Sequence, residues 1–188
     1  MKKSVFENVT TLEEFYNQIY TQQEANHGPH YCAMHHAVVK YWNEGQCKSY
    51  MEFGIHQGGT AANILRKKPE SVTLIDINLG LYNEYLKPIA IKYCKENNIN
   101  LNVKECSSTA IEAIQFDCDM LLIDSYHKPD YLKQELSTHA HNINKYIIAH
   151  DTFAVPSLHK CMEDFAGKNG WKVLEYNKQN VGYTVLGR

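Results

Sequence analysis

Four titratable residues stand where two apolar runs of this chain end. Met120-Leu121-Leu122-Ile123 runs into Asp124-Ser125-Tyr126-His127, and Tyr146-Ile147-Ile148-Ala149 runs into His150-Asp151-Thr152. Continuous apolar runs of this length read as strands buried on both faces. Carboxylates and imidazoles at the ends of such strands are poor choices for packing, and they mark a candidate site. If the two strands are neighbours or near neighbours, Asp124, His127, His150 and Asp151 converge. No Ser-His-Asp or Cys-His nucleophile arrangement is present, so a covalent enzyme intermediate is not expected.

A second constellation runs from Ser49 to Leu65, SYMEFGIHQGGTAANIL. It reads as a strand, a bend through Gly54, Gly58 and Gly59, and a helix entered at Thr60-Ala61-Ala62. Glycines let backbone approach a ligand closely, and a helix start offers unpaired N–H groups. Asp76 follows Gly54 by 22 residues and ends the next apolar run, Val72 to Ile77. An acid in that place grips ribose hydroxyls in doubly wound sheets, whereas the plainer reading is a solvated strand-end aspartate. The spacing Gly54-x-x-x-Gly58 is not that of a pyrophosphate loop, and no G-K-[ST] follows. Glu52, just before the bend, would repel a diphosphate and suits a cationic ligand better.

The elements that must position these residues alternate. From residue 49 onward, strands are expected at Met51–Ile55, Val72–Ile77, Leu101–Cys106, Met120–Asp124 and Tyr146–Ala149. Helices are expected at Gly59–Lys67, Tyr82–Asn97, Thr109–Ile114, Pro129–Ile143 and Ser157–Lys168. Such alternation requires right-handed crossovers and a largely parallel sheet covered on both faces. The ending differs: Trp171–Tyr176 and Gly182–Leu186, joined by a short loop, form an antiparallel hairpin. Residues 1–48 read as a helical cap belonging to the same domain. A capping box at Thr11-Leu12-Glu13-Glu14 opens its first helix, and a second spans about Tyr31 to Glu44. The span 49–188 carries the sheet.

Composition excludes several classes. No apolar run approaches the roughly 20 residues of a membrane span, and Met1-Lys2-Lys3-Ser4 has no apolar stretch of a signal peptide. Six scattered cysteines without a C-x-x-C pair read as reduced thiols, which implies a cytoplasmic protein. A formal charge of −2 without a basic run argues against nucleic acid as an obligate partner. A small-molecule substrate is expected instead, and self-association is left open.

The sequence Glu52-x-Gly54-x-x-x-Gly58-x-Thr60, with Asp76 ending the next strand and a terminal hairpin, resembles class I S-adenosylmethionine-dependent methyltransferases over about Ser49 to Arg188. The resemblance implies a Rossmann-like α/β fold whose seven-stranded sheet takes its last strand antiparallel. It implies that Gly54, Gly58 and the neighbouring Gln57, Gly59 and Thr60 face the methionine part of S-adenosyl-L-methionine. Glu52 would sit near the cationic amino group, Asp76 and Ile77 at the ribose, and Ser107 and Ser108 at the adenine. The family commonly has an acid at that last place. The D-S-x-H and H-D-T motifs are similar to a subgroup of small O-methylating enzymes, in several of which acids after these strands hold a divalent cation. Carried over, Asp124, His150 and Asp151 would be ligands for Mg²⁺ or Mn²⁺, with His150 standing where an acid is usual.

Methyl transfer to oxygen requires removal of the hydroxyl proton, and His127 is the candidate base, followed by His150. The implied activity is O-methylation of a sugar, nucleotide sugar or secondary metabolite. N-methylation and a cofactor-binding module without turnover are the alternatives. Asp-Ser-Tyr-His replaces the Asn-Pro-Pro-Tyr-like sequence of base N-methylating sites, and this weakens a nucleic-acid base as acceptor. His27, His30, His35 and His36 crowd the cap. They read as an exposed helix entry, as substrate contacts, or as a zinc site whose spacing matches no standard finger.

Overall fold

The structure, a computed structural model, describes residues 9–110 and 117–188. Two helices come first, α1 (Leu12–His27) and α2 (Ala33–Glu44), followed by β1 (Ser49–Phe53) and α3 (Gly59–Leu65). Then come β2 (Ser71–Asp76), α4 (Gly80–Glu84), α5 (Lys87–Asn97), β3 (Asn100–Glu105) and β4 (Cys118–Ile123). The chain continues with α6 (Pro129–His139), β5 (Ile143–His150), α7 (Pro156–Asn169), β6 (Lys172–Asn177) and β7 (Tyr183–Gly187). No described helix is long and apolar enough to cross a membrane.

The strands form one seven-stranded sheet in the order β3-β2-β1-β4-β5-β7-β6. Neighbours among β1 to β5 pair parallel, whereas β7 is antiparallel to both β5 and β6. The expected fold is therefore present, including the terminal hairpin. Chain order reverses between β1 and β4, and ligands of such sheets bind beyond the carboxyl ends of the strands at that point. The register makes those ends level: Phe53 pairs with Ile123, and Ile123 with Ala149. Gly54, Asp124 and His150 thus leave the sheet side by side.

Alternation along the buried strands feeds two cores. Tyr50 faces a cluster built with Phe15 and Ile19 of α1, Val38 and Tyr41 of α2, Ile64 of α3 and Ala90 of α5. Met51 and Phe53 face the other way, toward Leu132 and Leu136 of α6 and Leu158 and Met162 of α7. The two N-terminal helices are packed into the first core. α1 begins at the expected capping box: the Glu14 amide donates to Thr11 Oγ1 at 3.2 Å, and the Thr11 amide donates to Glu14 Oε2 at 3.1 Å.

The structure corrects two local expectations and leaves a third outside the described residues. The helix expected over Tyr82–Asn97 is two helices, broken at Tyr85-Leu86. Pro88, at the start of α5, has no N–H to bond back to the preceding turn. Glu105 is exposed rather than partly buried, because β3 is an edge strand of the sheet. Of the short helix expected at Thr109–Ile114, residues 111–116 lie outside the described residues, and Thr109 is in a turn.

The tightest constraint is Gly54. Its φ is +82°, and a Cβ there would lie 2.1 Å from the Asp124 carbonyl oxygen, which is backbone and cannot give way. Gly54→Ala is expected to lower stability by about 2 kcal/mol or more through combined strain and overlap. A shift of the urea midpoint at unchanged slope measures it. A loss below about 0.5 kcal/mol, the scale of a neutral surface change, would contradict the account.

Candidate active site

The four residues singled out at the strand ends do converge. His127 Nε2 lies 2.9 Å from Asp151 Oδ2 and 3.4 Å from Asp124 Oδ1. His150 Nδ1 lies 3.1 Å from Asp124 Oδ1 and 3.4 Å from Asp151 Oδ2. Each carboxylate therefore sits between two imidazoles. His150 is buried and His127 half-exposed. Asp151 holds a left-handed backbone conformation, φ +57°, directly after β5. Aspartate tolerates this conformation better than most residues, and such strain gathers at functional sites.

Charge explains the protonation states. Bonds to Asp124 and Asp151 push His127 up to about 10 against its partial burial. Burial opposes the charged form of His150, yet the same two carboxylates raise it to about 10. Burial likewise works against both acids, but the imidazoles hold Asp124 below its ordinary value and Asp151 well below the carboxylate range. Near neutral pH the cluster is two cations balancing two anions. His127 then carries its own proton, so it does not act as a base while it bridges the two carboxylates.

A cation fits the donors. Asp124, His127 and Asp151 each offer an atom, all within 4.8 Å of one another, and one nitrogen with two oxygens suits Mg²⁺, Mn²⁺ or a transition metal. The nitrogen of this group comes from His127, whereas His150 was the expected ligand. His150 instead packs behind the carboxylates, its ring centroid 6.0 Å from that of Tyr31. Among the described residues, no group with ligand spacing includes His27, His30, His35 or His36. His35 is buried with Nε2 3.3 Å from Thr60 Oγ1, and His36 pairs with the Tyr20 hydroxyl at 3.0 Å.

Beside the cluster lies a cleft of about 570 Å³ whose wall includes Gly54, Asp76, Ile77, Ser108 and Asp124. The first four were expected cofactor contacts. Ile77 is 72% exposed, a large apolar surface left for a ligand to cover. Asp76 turns out to organise the bend as well: Oδ2 accepts from the Ile55 amide at 2.7 Å and the His56 amide at 3.2 Å, and Oδ1 from the Asn78 amide at 3.0 Å. A carboxylate has about four acceptor sites, so capacity remains toward the cleft.

The other expected contacts lie off this wall. Glu52 is buried, takes the Tyr50 hydroxyl at 2.8 Å, and is pushed up to about 8 by burial. Gly58 caps α3 at φ +89°, where a Cβ would meet Leu86. Gly59 and Thr60 pack against His35 of α2, so their smallness and polarity serve the cap. Gln57 is half-buried beside them. Ser107 Oγ is taken up by Thr109 Oγ1 at 2.8 Å and the Tyr131 hydroxyl at 2.9 Å.

Sequence reasoning missed Ser125, Tyr126, Tyr131 and Glu135. The first three line the cleft. Glu135 is fully buried behind it and accepts from the Ser108 and Ser125 hydroxyls, each at 2.5 Å. Tyr131, Glu135 and His139 recur every four residues along α6, so a polar stripe on a helix face was the available signal. In isolation it looks like an exposed face. Tyr31, stacked on His27 with ring centroids 4.2 Å apart, roofs the cluster, and Asn180 of the β6–β7 turn ties this part of the cap down by donating to the His27 and Pro29 carbonyls.

The imidazolium–carboxylate cluster has a pH signature. Both histidine pKa values are raised above the unfolded value of about 6.5, so their stabilisation is complete below that pH and lost as pH rises toward about 10. In a chelator, the thermal midpoint of the native chain should fall across this window relative to His127→Gln. Added Mn²⁺, which binds deprotonated donors, should shrink the fall. A difference that stays flat from pH 6.5 to 10 would count against the cluster.

No family model matches this sequence, and no curated protein does either. Solved structures do match. A candidate caffeoyl-CoA O-methyltransferase from Staphylococcus aureus superposes with a TM-score of 0.71 at 14% identity, covering 92% of this chain and 91% of that one. An S-adenosylmethionine-dependent methyltransferase from Clostridium acetobutylicum gives 0.65 at 9% identity over 92% and 98%. The methyltransferase PaMTH1 of Podospora anserina, solved with S-adenosylhomocysteine, gives 0.61 at 13% over 93% and 86%. At these identities the likeness is one of architecture: this chain has the fold of the S-adenosylmethionine-dependent methyltransferases.

Proposed function

We propose that this protein is an S-adenosylmethionine-dependent methyltransferase acting on an oxygen of a small hydroxylated molecule. One observation carries the reading: Asp124 belongs at once to the wall of the cleft and to the imidazole–carboxylate cluster. A ligand in the cleft therefore abuts the groups that hold a hydroxyl and its proton. The likeness in fold to an S-adenosylhomocysteine-bound methyltransferase and to a candidate O-methylating protein supports it.

In this reading Gly54 and Asp76 hold the cofactor, and Ile77 covers its nucleoside. Asp124, His127 and Asp151 would hold a divalent cation, which when bound lowers the pKa of an acceptor hydroxyl as it does that of water. The chain's own part is to align that hydroxyl with the methyl group under the Tyr31 roof and to take up its proton at His150, the imidazole that the cation leaves free. His150 keeps the carboxylates oriented from behind.

Calorimetry should show S-adenosylhomocysteine binding in clear preference to NADH. Asp76→Ala should weaken it at least about tenfold, close to 1.4 kcal/mol. Asp124→Asn should cut methyl transfer by roughly a hundredfold or more while leaving the dissociation constant within about threefold. Tight binding with no turnover on any hydroxylated acceptor, with or without Mn²⁺, would favour a binding module instead.

A further inference from the structure

Among the described residues, Glu135 is a fully buried carboxylate whose purpose the reading above leaves open. It comes from α6, it lies behind the cleft wall, and none of its surface is exposed. Oε1 accepts from both Ser108 and Ser125, and Oε2 is buried without a hydrogen-bond partner. A buried carboxyl with one oxygen that has no partner among the described residues is costly. Both serines line the cleft, Ser108 from the segment after β3 and Ser125 from the end of β4. They are the two hydroxyls that a single carboxylate oxygen draws together across the cleft's inner wall.

The geometry points to a role in purine selection, and it rests on the cofactor reading above. We propose that Glu135 is a positioning residue that takes the protons of Ser108 and Ser125, so that both hydroxyls offer only lone pairs to the cleft and select a ring bearing an exocyclic amine. A serine hydroxyl has one proton and two acceptor lone pairs. Once that proton is committed to Oε1, the oxygen accepts and cannot donate. A 6-amino purine supplies N–H donors to such a pair. A 6-oxo purine brings a carbonyl oxygen against them and a ring N–H where adenine has an acceptor. A proton on the orphaned Oε2 would leave Oε1 an acceptor, so the polarity of the serines does not depend on the ionisation of Glu135.

The test compares S-adenosylhomocysteine with S-inosylhomocysteine, its 6-oxo counterpart, by calorimetry on the full chain. Wild type should favour the amino compound at least about tenfold, since a site built for one hydrogen-bond pattern rejects its reverse. Glu135→Leu frees both serine protons, and the ratio should fall to within about threefold. Glu135→Gln keeps an acceptor oxygen facing the serines and should retain most of the ratio, an outcome that a merely structural role does not predict. If Glu135→Leu fails to fold, Ser108→Ala with Ser125→Ala gives the same readout, with collapse of the ratio expected. An unchanged ratio in a folded Glu135→Leu or double-alanine protein overturns the proposal while leaving the cofactor reading intact. Absence of any binding by wild type overturns the cofactor reading itself.

Discussion

The contact between the Gly54 bend and the backbone of Asp124 is the constraint on which the rest of the site depends. The Asp124 amide donates to the Phe53 carbonyl at 2.8 Å, and the Gly54 amide to the Ile75 carbonyl at 3.0 Å. These bonds carry the parallel ladder one step past the ends of β1, β2 and β4. The bend and the imidazole–carboxylate cluster are thereby parts of one rigid edge. A side chain on residue 54 would separate them. Because sheet registry sets the spacing, it is as stiff as the core beneath it.

On that edge, carboxylates do two different jobs. Asp76 spends its bonds on backbone amides, which freezes the bend. Asp124 and Asp151 spend theirs on imidazoles. The second pairing depends on pH, because the raised imidazoles lose their protons toward about pH 10.

The cap works through the same economy of contacts. α1 and α2 bury their apolar stripes in the core on one side of the sheet, so their placement is as fixed as that of the strands. His35 and Thr60 close the seam between α2 and α3. The turn between α1 and α2 is then held over the carboxyl ends by Asn180, and Tyr31 hangs from it above His150. The histidine-rich segment therefore contributes by packing and roofing. Its residues are spread between the core, the seam and the surface.

Much of this was legible in the residues taken alone. Apolar runs bounded by glycine, proline and acid mark the alternating strands and helices. The hairpin follows from a short connection, and the four titratable residues follow from their place at strand ends. Local pattern determines such features, because burial period and turn chemistry act over a few residues. The sequence could not say that Thr60 and Gly59 face the cap and not a ligand, since both uses ask for small residues beside a glycine bend. Nor could it find Glu135, whose helix period looks the same whether the polar stripe meets water or a pair of serines. That His127 rather than His150 completes a candidate ligand group was equally out of reach, for the two are alike in type and differ in place, His150 ending β5 and His127 lying in the loop after β4. Those matters were decided by the tertiary structure, because they depend on which faces of distant elements meet and how level their ends are.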